Sequence, residues 1–388
     1  MVDAAEGGPT SLITADESLK TACARWSAAR VVGLDTEFVR ERTYYPRPGL
    51  LQVADVNGPV MVDPLTISDF QPFAALLTNP AVTKVMHACD EDLDVLDVLT
   101  GVTPVGVFDT QLASAFLGYG FSTSYANLVE GLLDVVLDKG LTRSDWCHRP
   151  LTPGQLHYAA LDVEYLSPIH ARLSRELSTR GRMPWFEEEL EHRRRVRTEA
   201  KQPESAYLRI RRRGALSPVQ HAVLRALSHW REVEAMARNI PRRHLLTDEI
   251  LMTLAQDSAL DASKLEAIKG LSPRARARYG QAILTHVDAA RRTGPSQIDI
   301  PVNLRPYSGT MVRLKEIVKE QADLLELPAE LLARRRAIET LLISVVKRHR
   351  EIPPEFQGWR FDVVTDALLG CIKSADKTGS DGGKAQSV

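Results

Sequence analysis

Residues 31–38 read Val-Val-Gly-Leu-Asp-Thr-Glu-Phe, an apolar run that closes on two acids one residue apart. The run predicts a buried strand. Strand side chains alternate between faces, so Asp35 and Glu37 emerge side by side on one face. Neighbouring carboxylates repel unless something positive sits between them, and a hard divalent cation bound by oxygen ligands, Mg²⁺ or Mn²⁺, suits that position. An isolated Asp-x-Glu is equally the solvated end of an ordinary strand. The metal reading therefore depends on more carboxylates arriving from elsewhere in the chain.

At 388 residues the chain exceeds one ordinary core, and about 150 residues per domain implies two or three domains. A composition 44% hydrophobic and 26% charged is that of a globular protein in water. There is no apolar stretch of about 18 residues and no basic-then-apolar leader, so a cytoplasmic protein without a membrane partner is expected. Cys23, Cys89, Cys147 and Cys371 lack CxxC spacing, which argues for reduced packing thiols and against zinc. The net charge of −1 hides an asymmetry: residues 1–180 hold 13 Lys and Arg against 23 Asp and Glu, leaving 36 against 27 for the remainder. An acidic front half and a basic back half fit a metal-dependent phosphate enzyme with a nucleic-acid-gripping appendage, or two solvated surfaces of opposite sign.

Along the chain, residues 16–29 have helical spacing, with Leu19, Cys23 and Trp26 on one face. After the acid-bearing strand, residues 50–56 and 60–63 form a hairpin around Asn57-Gly58. Residues 69–77, 90–99 and 110–117 read as helices, with strands at 83–87 and 105–109 between them, an alternation that predicts an α/β domain with a mixed sheet. Thr152-Pro153 opens a helix in which Tyr158 and Asp162, four apart, share a face. A charged helical linker covers 182–214. All-helical segments follow at 215–294 and 300–373, with disordered tails at 1–10 and 374–388.

The candidate acids are thus Asp35, Glu37, Asp92 and Asp162, with Tyr158 beside the last. Asp92 stands in the first turn of a helix directly after a strand, where α/β sheets place ligands; the helix dipole alone also favours an acid there, and Asp90 and Glu91 compete for the role. The set Asp35-Thr-Glu37-Phe, His87-x-x-x-x-Asp92-Leu and Arg149-Pro-Leu with Gln155-x-x-Tyr158-x-x-x-Asp162-Val-x-Tyr165-Leu resembles the three motifs of the DEDDy 3′→5′ exonucleases, and most of all the ribonuclease D family. Thr43-Tyr44 and Leu50-Leu51-Gln52 fit the stretch after the first motif, and the Tyr-Pro-Arg-Pro insertion is less standard. Residues 215–292 look like an HRDC domain and 303–372 like a diverged second copy. The resemblance implies a ribonuclease H-like mixed-sheet exonuclease domain at 11–181 followed by two small all-α domains.

The resemblance also implies chemistry. Two divalent cations, Mg²⁺ or Mn²⁺, roughly 3.5 to 4 Å apart would stabilise the attacking and leaving oxygens of a phosphodiester together. Asp35, Glu37 and Asp162 would hold the ion that activates water, Asp35 would bridge to the second ion, and Asp92 would act on that ion through bound waters. Tyr158 would orient the attacking water, against the reading of a buried helix tyrosine tied to backbone. Phe38 and Gln52 would line a pocket for the last base, His87 would touch the terminal nucleotide, and Arg143 and Arg149 would meet phosphate, with packing or solvated charge as the alternative for each. Basic runs at Arg211–Arg213, Arg242–Arg243, Arg274–Arg278 and Arg334–Arg336 would add sequence-independent phosphate contacts. The expected substrates are RNA 3′ ends such as tRNA precursors, trimmed to 5′-mononucleotides, and nothing calls for an obligate protein partner. A DNA 3′→5′ exonuclease is the first rival, though no GxxxxGK[ST] motif accompanies the domain. A non-catalytic RNA-binding protein is the second, though all four acids and the tyrosine are present.

Overall fold

The computed structural model describes residues 11–137, 144–211, 216–257, 259–293, 304–347 and 351–381. Arg143, Arg212, Arg213 and the tail at 1–10 lie outside them. Strand β1 (Ser11–Ile13) and helix α1 (Asp16–Ser27) lead into the acid-bearing strand β2 (Val31–Val39). Then come β3 (Arg47–Asp55), β4 (Gly58–Val62), α2 (Gln71–Thr78), β5 (Thr83–Met86), α3 (Asp92–Thr100), β6 (Val107–Asp109) and α4 (Thr110–Phe116). The six strands form one sheet in the order β1-β4-β3-β2-β5-β6. β2, β3 and β4 make the antiparallel meander that the hairpin signal predicts, and β1, β5 and β6 join it in parallel, on β4, β2 and β5 respectively.

β2 is central and covered on both faces, so its two sides enter different clusters. Val32 and Leu34 pack with Trp26, Phe73 and Leu96 from α1, α2 and α3. The other face meets α5 (Tyr125–Leu133), α6 (Pro153–Glu164) and α7 (Leu166–Thr179) through a core that includes Leu128, Val163 and Leu166. No expectation from the sequence covers α5, and Tyr165 stands between α6 and α7. Thr152 caps α6 as expected, accepting from Gln155 N while the Gln155 side chain accepts from Thr152 N at 2.9 Å, with Pro153 in the first turn.

The chain divides into two compact units, one from the described parts of 1–39, 46–190 and 304–388, the other from those of 40–45 and 191–303. The boundary falls inside α8 (Met183–Lys201), later than the linker start expected at 182. In the first unit, α14 (Ser308–Leu325), α15 (Ala329–Leu332), α16 (Arg335–Val346) and α17 (Asp366–Asp381) share the hydrophobic core of α4 to α7. Phe116 meets Trp359 edge-on at 5.1 Å, Trp185 stacks on Trp359 at 5.5 Å, and Arg360 donates to buried Glu189 at 2.6 Å. The described residues from 304 onward thus belong to the first unit: amphipathic spacing shows that a helix buries a face, not what covers it. Helix α17 continues to Asp381, past position 374, where the sequence predicts the start of a tail.

The second unit has helices and no strand among its described residues. After a 3₁₀ turn (Pro203–Arg209) come α9 (Pro218–Arg238), α10 (Arg242–Leu245), α11 (Asp248–Gln256), α12 (Ala262–Ala267) and α13 (Pro273–Thr293) around Leu224, Leu227, Leu251, Ile283 and Val287. Residues 40–45 belong to it: the Tyr44 hydroxyl donates to buried Glu232 at 2.6 Å, and Asn239 Oδ1 accepts from the backbone N–H groups of Tyr44 and Tyr45. Arg242 grips Glu232 through two bonds of 2.6 Å. It is therefore tied to a buried acid inside the unit. Among the described residues, no helix is long and apolar enough to cross a membrane.

Candidate active site

β2 delivers the first two acids by simple alternation. Asp35 pairs with Gln52 and Glu37 with Leu50 across β3, and the register shifts between Glu37 and Phe38. That irregularity shifts the ladder directly after the second acid, before pairing resumes at Phe38 with Pro48. On the same face, two residues before Asp35, Gly33 meets the junction of α6 and α7: a Cβ built there would lie 3.1 Å from Leu166 Cβ and 3.2 Å from Val163 O. The bare backbone lets the helix carrying Tyr158 and Asp162 lie directly on the acid-bearing strand.

Asp92 arrives from the opposite layer. The chain turns out of β5 through Ala88, whose φ of 54° is left-handed, and the turn is pinned by Asp109, the N-cap of α4. Its carboxylate accepts from Ala88 N at 3.1 Å and Cys89 N at 3.3 Å as well as from Gln111 N and Leu112 N. Asp92 then opens α3, buried, while Asp90 and Glu91 are exposed. Its Oδ1 accepts a 2.6 Å hydrogen bond from the hydroxyl of Thr36, the residue between Asp35 and Glu37. Neither Thr36 nor Asp109 was singled out from the sequence. Thr36 lies inside the first motif and would be found by asking what its reverse-facing hydroxyl meets, whereas Asp109 shows only as an acid before a helix.

These side chains share one electrostatic environment. Burial, followed by the charges of Asp92, Asp162 and Glu37, holds Asp35 well above the usual carboxylate range. Burial with Asp162 and Asp92 pushes Glu37 up to about 8. Asp162 is raised by burial and Asp92 against the hydrogen bond from Tyr158, and Asp92 is raised by burial against the bond from Thr36. Burial and the charges of Asp162, Glu37 and Asp35 also raise Tyr158, so its phenol stays protonated at neutral pH. The structure thus brings all five residues together. The largest charges acting on Asp35, Glu37 and Asp162 are those of other acids in the set, which is the electrostatic preference of a cation site. Hard carboxylate oxygens fit divalent ions of the magnesium class. Among the described residues, no three acidic, histidine or cysteine side chains already close around a point as a finished metal cage.

The softer assignments divide. Arg149 spends its guanidinium on Asp63, with two bonds of 2.6 Å, and on the carbonyls of Gly49, Trp146 and His148. With no donor left for phosphate, it is a brace for the loop before α6. His87 uses both ring nitrogens, on the Thr110 hydroxyl at 2.9 Å and Thr123 O at 3.1 Å, so neither nitrogen is left for a nucleotide. Gln52 is fully buried and neither of its amide atoms is paired, so it cannot line an open base pocket. Phe38 stays half-buried at the strand end. Arg143 lies outside the described residues.

Comparison with known proteins agrees with this architecture. Residues 10–178 match the family described as 3′-5′ exonuclease, 220–287 the HRDC domain, and 306–368 the ribonuclease D C-terminal HRDC domain. Ribonuclease D of Pseudomonas paraeruginosa is 39% identical over 364 residues, 93% of this chain and 96% of that protein. Ribonuclease D of Escherichia coli is 34% identical over 368 residues, covering 93% and 98%. The crystal structure of Escherichia coli RNase D, described as an exoribonuclease involved in structured RNA processing, superposes with a TM-score of 0.85 at 33% identity, covering 94% of this chain and 99% of that one. The catalytic core of Trypanosoma brucei RRP6 shares the fold at a TM-score of 0.53 and 21% identity, over 75% and 82% of the two chains.

Proposed function

The chain belongs to the ribonuclease D family and is a 3′→5′ exoribonuclease; from that premise we propose that Asp35, Glu37, Asp92, Asp162 and Tyr158 are its catalytic set and structured RNA ends such as tRNA precursors its substrates. The observation that carries this reading is the convergence of four carboxylates, from β2, α3 and α6, whose protons are held by burial and mutual repulsion. The family is generally dependent on divalent metal. In this chain the four acids would hold two such ions, Mg²⁺ or Mn²⁺, which when bound supply an acidified water and neutralise charge developing on the phosphate.

The remaining work falls to the protein. Tyr158, protonated and one turn before Asp162, offers its hydroxyl to hold the attacking water in line with the scissile bond. The water oxygen bonds to phosphorus as the bond to the 3′ oxygen of the shortened chain breaks; that oxygen takes up a proton, and a 5′-mononucleotide leaves. Thr36 would keep the Asp92 carboxylate turned toward the site, and Phe38, half-buried at the strand end, would line the pocket for the last base.

The test is mononucleotide release from RNA and DNA of equal sequence, with and without EDTA, by the parent and by Asp35→Asn. Release from RNA that chelation stops, Mg²⁺ or Mn²⁺ restores and Asp35→Asn abolishes is the expected result. Retention of more than about a tenth of parental turnover by Asp35→Asn, an effect under about 1.4 kcal/mol, would overturn the site assignment. Faster release from DNA would overturn the substrate.

A further inference from the structure

In an unbroken α-helix each N–H donates to the carbonyl four residues earlier, so a helix running from Pro153 to Thr179 would pair Tyr165 N–H with Leu161 C=O. Here the hydroxyl of Tyr125 stands between those two groups. It accepts from Tyr165 N at 3.1 Å and donates to Leu161 O at 3.2 Å. At that point α6 ends at Glu164 and α7 begins at Leu166, with Tyr165 between them at φ −98° and ψ 2°. A side chain inserted into the helical ladder is an established cause of a bend.

The bridged residues bracket Asp162, and the junction they form rests on Gly33, two residues before Asp35 on β2. Tyr125 is itself firmly held. It opens α5 behind the Ser124 N-cap, and its ring lies 5.6 Å from that of His87, which Thr110 and Thr123 fix in turn. Its hydroxyl feels the charges of Asp162 and Asp35.

We propose that Tyr125 is a positioning residue for the cleavage reaction: by holding the ladder open between Leu161 and Tyr165, its hydroxyl sets the bend that turns Asp162 and Tyr158 toward Asp35 and Glu37. The proposal rests on Asp162 being a metal ligand. Tyr125→Phe tests geometry rather than folding. Once the hydroxyl is gone, Tyr165 N–H and Leu161 C=O can bond to each other, so no buried polar group is stranded, and the ring still fills its place.

The experiment uses the full chain as parent, Tyr125→Phe, Asp162→Ala and the double variant. Mn²⁺ binding is measured by calorimetry without RNA, single-turnover cleavage is followed across Mg²⁺ concentrations, and each protein is melted. Tyr125→Phe is expected to weaken Mn²⁺ binding about tenfold. It is also expected to slow cleavage by roughly 10-fold to 100-fold at saturating Mg²⁺. Its Tm should stay within about 4 °C of the parent, and in the Asp162→Ala background it should cost no further Mn²⁺ affinity. Parental Mn²⁺ binding and rate in Tyr125→Phe would overturn the proposal, as would a further loss in the double variant. A Tm lowered by more than about 10 °C would make the hydroxyl a general support of the fold and overturn it as well. Failure of the underlying reading looks different: Asp162→Ala would then keep parental Mn²⁺ affinity, and both would fall together.

Discussion

Tyr158→Phe removes one oxygen from the site and leaves the ring, which packs on the main core with its centroid 6.2 Å from that of Trp146. Two consequences follow, and they separate experimentally. The hydroxyl's bond to Asp162 favours the ionised carboxylate against burial and the charge of Asp92. Without it Asp162 keeps its proton to higher pH, and more metal is needed to displace that proton; this part of the loss disappears at saturating Mg²⁺ or raised pH. The proposed bond to the attacking water is made chiefly as the nucleophile lines up, and losing it is worth on the order of 2 to 4 kcal/mol, or about 30-fold to 1000-fold in rate. Because burial and the surrounding acids hold the phenol above its ordinary pKa, this second deficit should be the same at about pH 7 and about pH 9. The assay is single-turnover cleavage at saturating Mg²⁺ at both pH values, with binding of uncleaved RNA followed in Ca²⁺ and expected to hold. A Phe variant within about threefold of the parent would refute the reasoning, and a deficit erased by Mg²⁺ or by high pH would assign the hydroxyl to Asp162 alone.

The acids at the site are all raised, so in metal-free protein the folded state keeps protons that the unfolded chain has released. That penalty is absent below about pH 4 and grows as pH rises, Glu37 adding to it up to about 8, the value to which it is pushed. Metal-free protein should therefore melt lower at pH 8 than at pH 6, and Mg²⁺ should raise Tm more at pH 8; equal Mg²⁺ shifts at both would argue against a repelling cluster. Thr36→Val deletes the 2.6 Å bond to Asp92 with little change of shape. It should raise the Mg²⁺ needed for half-maximal cleavage about tenfold, and an unchanged Mg²⁺ titration would show that Asp92 needs no such hold. Arg360→Met leaves buried Glu189 without its Arg360 partner and should cost about 3 to 5 kcal/mol in urea unfolding of the full chain. A loss under about 1 kcal/mol would mean that this ion pair does not secure the C-terminal helices to the unit they share.

What could be read from the sequence was whatever local geometry dictates. Period-two alternation places Asp35 beside Glu37, the helical repeat places Tyr158 beside Asp162, and Thr152-Pro153 with Gln155 announces the start of α6, because each depends on residues within about one turn or one pleat. The hairpin and the helix–strand alternation were legible for the same reason. What only the tertiary structure decided depends on partners far along the chain. Arg149 and His87 carry the same side chains whether they meet substrate or brace a loop, and it is Asp63, 86 residues from Arg149, and Thr110 and Thr123 beside His87 that settle the matter. Asp92 is chosen over Asp90 and Glu91 by which of three consecutive acids the turn at Ala88 buries against Thr36. The C-terminal helices join the nuclease core because Phe116, Phe186 and Trp359 interlock, a fit that hydrophobic spacing cannot specify: a sequence records which faces must leave water, and the partner that removes them from it is a property of the packed whole.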